Sequence, residues 1–459
     1  MESDLSWMVP IEVMLGSLNH GEVQACSISS VPDEIRDPND DAYKPKLVSI
    51  GPLHRGTTRH LQLMEEPKWH YMREFLDRKG SQEQTRRSEL RLRDCGMEIL
   101  KMDKVIRASY GGNIELEPHE FAKIMIVDGC FLLELLIRLG SYMENKTNST
   151  YSEDPILETE EKVFSVLNDI TMLENQIPFI VLKKLYRKVF PNGTEIKDDH
   201  RVADIVRKAF GYPLMNSSGG AHILHLMHLS TIEQNQHGSK EVKKASKELV
   251  RCAARLKATG IMIQPGNNSS NLDNKLVDVF NFDINFNGKV LEIPVLHIKE
   301  TTEVKWRNLI AWEQSRIWIR CKYTSYALFF QGLICCKHDI ELLEENGVIV
   351  NESKKSKEDL LTLFRTICEG VEHMDSSYSE LCVSLNEYKR AKPWRKWPIV
   401  TWHLCRVIFE IVVYYWKNWF TILIRDHVPT VWKLIGVLAA IVLLALTIAQ
   451  TYYSAHSSH

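Results

Sequence analysis

From Leu434 to Ala449 the chain carries no charged side chain, and the apolar run around this stretch extends over Val431 to Thr451. Trp432 stands at one end and Tyr452 and Tyr453 at the other, where amphipathic rings favour a membrane–water boundary. At about 1.5 Å per residue such a run reaches roughly 30 Å as a helix, the thickness of a bilayer's hydrocarbon core. The sequence therefore predicts a single transmembrane helix over 431–453, with the lipid bilayer as its partner.

The flanking charges predict an orientation. Between Glu387 and Lys433 there are nine Lys or Arg against three Asp or Glu, and no charged side chain follows Lys433. The positive-inside rule then places the bulk of the chain in the cytosol, with the plasma membrane favoured. Residues 1–18 carry Glu2, Asp4 and Glu12 and no Lys or Arg, unlike a secretory signal. Leu5, Met8, Leu15 and Leu18 suit one face of an amphipathic helix within a variable N-terminal segment, 1–29. Ten cysteines without framework spacing also suit a reducing compartment. The opposite, luminal reading rests on seven N-x-[ST] acceptors for possible glycosylation: Asn145, Asn148, Asn192, Asn216, Asn267, Asn268 and Asn351. A net charge of −2 supplies no basic field to recruit nucleic acid.

Residues 30–390 read as one large, mainly α domain. Pro and Gly crowd 30–60 and exclude a long helix there. Helical periodicity runs from Leu61 to Leu76 with a break near Pro67, then over 81–110. Glu117-Pro118 opens a helix that continues into the apolar stretch Cys130 to Leu139, too short to span a membrane and thus a core helix. Glu158 to Leu173 and Phe179 to Phe190 read as helices, followed by a linker holding a short helix near Val202 to Phe210. Further helices are expected over 221–229, 241–259, 304–336, 340–345 and 357–386. One β-rich insertion, 277–298, alternates on both sides of Asn287-Gly288, the sequence of a hairpin turn. The segment 394–427 gathers Trp394, Trp397, Trp402, Trp416 and Trp419 with Arg406, Glu410 and Lys417. It suits either an interfacial juxtamembrane helix or a last helix packed on the domain.

Several ordered strings resemble the plant family known as domain of unknown function 247. Val31-Pro32 leads into Tyr43, Pro45 and Val48-Ser49-Ile50-Gly51-Pro52-Leu53-His54. Leu63-Met64-Glu65 precedes Lys68-Trp69. Then come Asp128-Gly129-Cys130-Phe131 with Glu134-Leu135, Leu173-Glu174-Asn175-Gln176-Ile177-Pro178, and Asn308-Leu309 with Ala311 and Glu313-Gln314. The resemblance covers about 30–453. It marks Gly51, Pro52, Asp128, Gly129, Glu174, Asn175, Gln176, Pro178, Glu313 and Gln314 as family-motif residues. It implies a membrane-anchored plant protein with no agreed activity and no known cofactor. Some grass relatives lie at self-incompatibility loci, which implies recognition of a protein partner.

The residues themselves name no chemistry. No phosphate-cradling glycine loop, CxxC or HExxH occurs. His222, His225 and His228 share roughly one helical face, but no paired Cys or carboxylate ligands stand nearby in sequence, so no metal is assigned. Asp128, Glu134, Glu174 and Glu313 are acids inside apolar strings. They read first as structural acids that cap helices or pair with cations. A membrane-bound hydrolase using them as acid and base is the alternative, and it requires them to meet in one pocket. Asn175-Gln176 reads as a turn whose amides bond backbone groups. Cys335-Cys336 reads as packed thiol. The expectation is a non-enzymatic recognition protein.

Overall fold

The computed structural model describes residues 25–78, 84–144, 154–191, 194–215, 219–234, 248–266, 280–316, 319–372, 375–388 and 431–456, with isolated positions elsewhere. The amphipathic helix expected over 1–18, six of the seven glycosylation acceptors (all but Asn351) and most of 394–427 lie outside the described residues. The chain divides into two compact units, Met1–Tyr388 and Lys389–His459.

The first unit is mainly helical. After a short helix, Asp33–Arg36, and a 3-10 stretch, Asp37–Tyr43, the chain runs through bends and turns to Thr58. Helix Arg59–Leu63 starts at Thr58, whose hydroxyl accepts the Leu61 N–H. The break comes at Met64 rather than at Pro67, which sits in the first turn of α1, Glu65–Asp77, where its missing N–H costs nothing. Then follow α2 (Gln84–Lys101), α3 (Pro118–Glu144), α4 (Glu160–Ile170) and α5 (Phe179–Val189). Helix α6 runs over Glu195–Ala209, 15 residues, and starts seven residues before the expected Val202, because its first turns are polar and show no apolar stripe. Helix α7 is Ile223–Gln234.

Helix α3 is the axis of the first core. Phe121, Met125, Cys130, Phe131, Leu135, Leu136 and Leu139 are all fully buried. α1, α2, α5 and α6 pack around it. An apolar helix of this kind has no solvent face to offer, and burial all round is its only stable placement. Gly129 lets α5 approach: a Cβ there would lie 2.4 Å from Leu185 Cδ1.

The β content is larger and less local than one hairpin. β2 (Asn285–Asn287) and β3 (Val290–Ile293) form the expected antiparallel pair, with Gly288 at the first loop position and a φ of 61°. β1 (Met262–Pro265) adds to the other side of β3 in parallel. β4 (Leu296–Ile298) leaves this sheet and pairs in parallel with β5 (Ile349–Asn351). The two outer strands come from distant segments, which period-2 alternation cannot reveal in three or four residues. Helices α8 (Thr302–Gln314), α9 (Lys322–Leu333), α10 (Lys337–Glu345) and α11 (Lys357–Thr366) complete the second core. It is aromatic: Phe280, Trp306, Tyr323, Tyr326, Phe330 and Phe364 meet mostly edge to face or tilted, the geometry that ring quadrupoles favour. Asn351 ends β5, and its amide is engaged within its own acceptor motif: Oδ1 accepts from the Ser353 hydroxyl at 2.7 Å and Nδ2 donates to the Lys355 carbonyl at 3.1 Å.

In the second unit, α12 (Val431–His456) occupies the apolar C-terminal run. Its described side chains are exposed, Leu443 by 64% and Ile448 by 63%. Among the described residues no helix is long and apolar enough to cross a membrane. The transmembrane helix expected over 431–453 is thereby corrected to an exposed apolar helix. Upstream, Phe409, Val412, Val413 and Trp416 are exposed as well.

Candidate functional site

Most of the family-motif strings, far apart in sequence, meet along the segment 46–55, whose Val48 and Ile50 are buried in the first core. Irregular backbone inside a protein needs partners for its N–H and C=O groups, and here no strand supplies them. Side chains do. Asp169, at the end of α4, accepts three consecutive N–H groups: Lys46 at 2.9 Å, Leu47 at 2.6 Å and Val48 at 2.7 Å. Asn175 accepts the Ile50 N–H at 2.6 Å and donates to the Val48 and Asp169 carbonyls. Asp128, on α3, accepts the Gly51 N–H at 2.9 Å. Gly51 has a φ of 74°, and a Cβ there would lie 2.7 Å from the Gln176 carbonyl oxygen, so the position requires glycine twice over. Pro52 follows, half-buried.

Lys68, from α1, is completely buried beneath this segment. Its ammonium donates to the Ser49 carbonyl at 2.6 Å, to Glu65 at 2.6 Å and to Asp128 at 2.8 Å. Three acceptors use all three of its protons. Arg55 pairs with Glu65 and reaches to 3.9 Å from Asp128. Burial pushes the Asp128 carboxyl up, and Lys68 and then Arg55 oppose the shift.

The Glu174-Asn175-Gln176 string bridges the two cores. Glu174 accepts the Val31 N–H at 2.7 Å, pairs with Arg36 and lies 3.2 Å from His54 Nε2. Burial opposes its charge, but His54, Arg36 and the Val31 N–H outweigh it and hold the carboxyl below the usual glutamate range. Gln176 donates to the Ile170 and Met172 carbonyls, both at 2.8 Å, and accepts the Leu224 N–H. Pro178 is the extended N-cap of α5. Leu173 N–H is taken by Asn308 on α8, which also donates to the Ala42 carbonyl at 2.9 Å.

Glu313 stands apart from this network. One oxygen accepts the Tyr323 N–H at 3.0 Å and contacts His228 Nε2 at 3.0 Å; the other accepts the Thr324 N–H at 2.8 Å and its hydroxyl at 2.7 Å. A carboxylate on α8 thus caps the N-terminus of α9, where partial positive charge favours it. Gln314 donates to the Thr324 hydroxyl and accepts the Glu372 N–H. Glu134 forks onto Arg78 and also accepts from Arg138. Asp128 and Glu174 therefore share one neighbourhood, while Glu313 and Glu134 hold other junctions. The sequence marks most of these acids but not Asp169 or Arg36, whose surroundings carry no signal; Lys68 and His54 were visible only as members of the resembling strings.

The three histidines do not gather their ring nitrogens. His225 Nδ1 accepts the Ala221 N–H, His222 Nδ1 accepts the His225 N–H, and His228 turns to Glu313. The His222 and His225 rings sit 4.7 and 4.8 Å from the Trp312 ring. The donor group that does gather among the described residues is Cys252, Cys335 and Asp339.

Burial lowers His222 from 6.5 to about 3, and burial with its cationic neighbours lowers His225 well below its usual value. As pH falls below 6.5 the unfolded chain protonates both rings while the folded chain does not. Stability is full above that pH and is lost as pH falls from 6.5 toward 3. Between pH 7 and pH 5 His222 is expected to remove about 2 kcal/mol, and His225 adds to the loss in the same direction. Urea unfolding at the two pH values checks this. His225→Asn, which keeps an acceptor for Ala221, should make the difference between the two pH values smaller.

The comparisons with known proteins agree with the motif content. A family model described as a plant protein of unknown function (DUF247) matches residues 28–446. The UPF0481 protein At3g47200 of Arabidopsis thaliana is 26% identical, with 80% of this chain and 78% of that protein aligned. The putative UPF0481 protein At3g02645 of the same plant is 21% identical, with 98% of this chain and 95% of that protein aligned. No solved structure matches the chain. With most of the motif residues assembled around one buried segment and the family model covering nearly the whole chain, this protein belongs to the plant DUF247 family of unknown function.

Proposed function

We propose that this chain is a non-enzymatic recognition protein, attached to a lipid surface by its C-terminal unit and binding another protein through its helical body. The observation that carries the reading is the occupancy of its buried acids. Asp128, Glu174 and Glu313 each accept backbone N–H groups and face a cation or imidazole, so their lone pairs serve the fold. Attachment is supported by α12, whose exposed apolar side chains need a cover. The basic stretch before it would meet the anionic cytosolic leaflet, favouring a cytosolic body.

The test is flotation of the full chain with phosphatidylcholine vesicles, with and without phosphatidylserine. The chain is expected to float, more strongly with phosphatidylserine. A Leu443→Asp/Ile448→Asp variant should lose at least tenfold of the bound fraction. Full chain that stays at the bottom of the gradient removes the attachment reading. The second reading, a membrane-bound hydrolase, is favoured by His54 beside Glu174, an imidazole–carboxylate pair of low exposure that could act as a base. Ester hydrolysis abolished in Glu174→Gln, with an unchanged unfolding curve, would establish it and exclude the first.

A further inference from the structure

We propose that Cys252, Cys335 and Asp339 form a binding site for a thiophilic divalent cation of the zinc class. Cys252 is the N-cap of the helix Ala253–Ala258, and Cys335 lies in the link between α9 and α10. Asp339 is the third residue of α10. One ligand atom from each lies within 4.8 Å of the other two. Tetrahedral zinc, with bonds of about 2.3 Å to sulfur and about 2.0 Å to oxygen, sets its ligands roughly 3.5–3.8 Å apart. The Cys335 Sγ to Asp339 Oδ2 separation, 3.1 Å, already falls near that range.

The carboxylate is crowded in a way a cation would relieve. Asp339 Oδ1 accepts the Ala254 N–H at 2.8 Å. Its Oδ2 faces four donors: the Cys335 and Cys336 N–H groups at 3.0 and 3.2 Å, and the two thiols at 3.1 and 3.4 Å. An oxygen with two lone pairs cannot satisfy four donors, and the thiols are the weak ones. A divalent cation held by Cys252, Cys335 and Asp339 would take the place of the Cys335 thiol proton on this oxygen, while the Cys336 thiol keeps its own. Binding releases one proton from Cys252 and one from Cys335 to solvent and forms two metal–thiolate bonds and one metal–carboxylate bond. The loaded site carries a charge of −1, beside the Arg365 guanidinium that donates to the Cys335 carbonyl at 2.9 Å.

The setting favours a soft ion and gives it access. Two sulfurs with one carboxylate suit zinc rather than calcium or magnesium. Cys252 and Asp339 are buried, while Cys335 is exposed and opens the fourth position to water. The same exposure corrects the sequence expectation: Cys335 and Cys336 are not packed thiols. A bound ion would clip the helix at 253–258 to α10 across the intervening chain and thereby couple metal binding to stability.

The experiment is titration of the reduced, metal-free full chain in detergent with Co²⁺, followed by competition with Zn²⁺. A thiolate-to-cobalt charge-transfer band saturating at one equivalent is expected, bleached by Zn²⁺. Cys335→Ser, at an exposed position, should weaken binding at least tenfold without changing the circular dichroism spectrum. Cys252→Ser should do the same, and Cys26→Ser, at an exposed thiol elsewhere, should not. No band, or a band that survives Cys335→Ser, overturns the site.

Discussion

Asp128→Ala is expected to remove about 3–5 kcal/mol of unfolding free energy, the cost of leaving one partner of a buried ion pair alone. Lys68 would keep its charge with no solvent exposure and lose its 2.8 Å partner. The Gly51 N–H would lose its acceptor in the same step. Equilibrium urea unfolding checks the loss, read from the midpoint at unchanged slope. The double variant Lys68→Met/Asp128→Leu separates charge from architecture. Replacing both partners with apolar groups removes the stranded ammonium, so the double variant should be more stable than Asp128→Ala by at least about 2 kcal/mol. It should still fall short of the wild type, because the Ser49 carbonyl and Gly51 N–H remain unpaired at about 1 kcal/mol or more each. A double variant no better than the single one would show that Asp128 acts through its backbone contact alone.

Glu313→Ala is expected to cost about 4 kcal/mol, summed from buried donors left open at about 1–3 kcal/mol each and corrected for partial relaxation. The Tyr323 and Thr324 N–H groups belong to the first turn of α9, where no carbonyl of the helix can reach them. The Thr324 hydroxyl and His228 lose the same partner. Glu313→Gln keeps one acceptor oxygen and turns the other into a donor facing donors, so about half the loss should remain. The check is thermal unfolding beside amide hydrogen exchange at Tyr323 and Thr324. Faster exchange confined to the first turn of α9 is the expected local signature, and exchange that rises equally everywhere would mean Glu313 supports the fold at large.

Both variants concern residues inside motif strings, yet the strings announce only part of the arrangement. Asp128 and Glu313 stand out because a charge inside an apolar helix must find a partner. Nothing near Asp169 in the sequence distinguishes it from an ordinary helix-terminal acid, although it holds three N–H groups more than 120 residues upstream. Cys252 and Cys335 likewise look like two scattered thiols until the fold places both beside Asp339.

The sequence by itself determined the features that local periodicity and turn chemistry encode. The apolar α3 had to be a core helix, because a run of that length and hydrophobicity is stable only when surrounded. The β2–β3 hairpin followed from alternation around Asn287-Gly288. The family followed from ordered strings that resemble it, and its model matches residues 28–446. Tertiary structure alone decided the rest. The short strands β1 and β5 exist only because partners from elsewhere complete them. The segment 46–55 is held by side chains from α1, α3, α4 and the 174–176 turn, a match between backbone groups and acceptors that no spacing along the chain expresses. Local patterns report how much of a residue is buried; which groups meet depends on how the helices pack, and packing is a property of the whole chain.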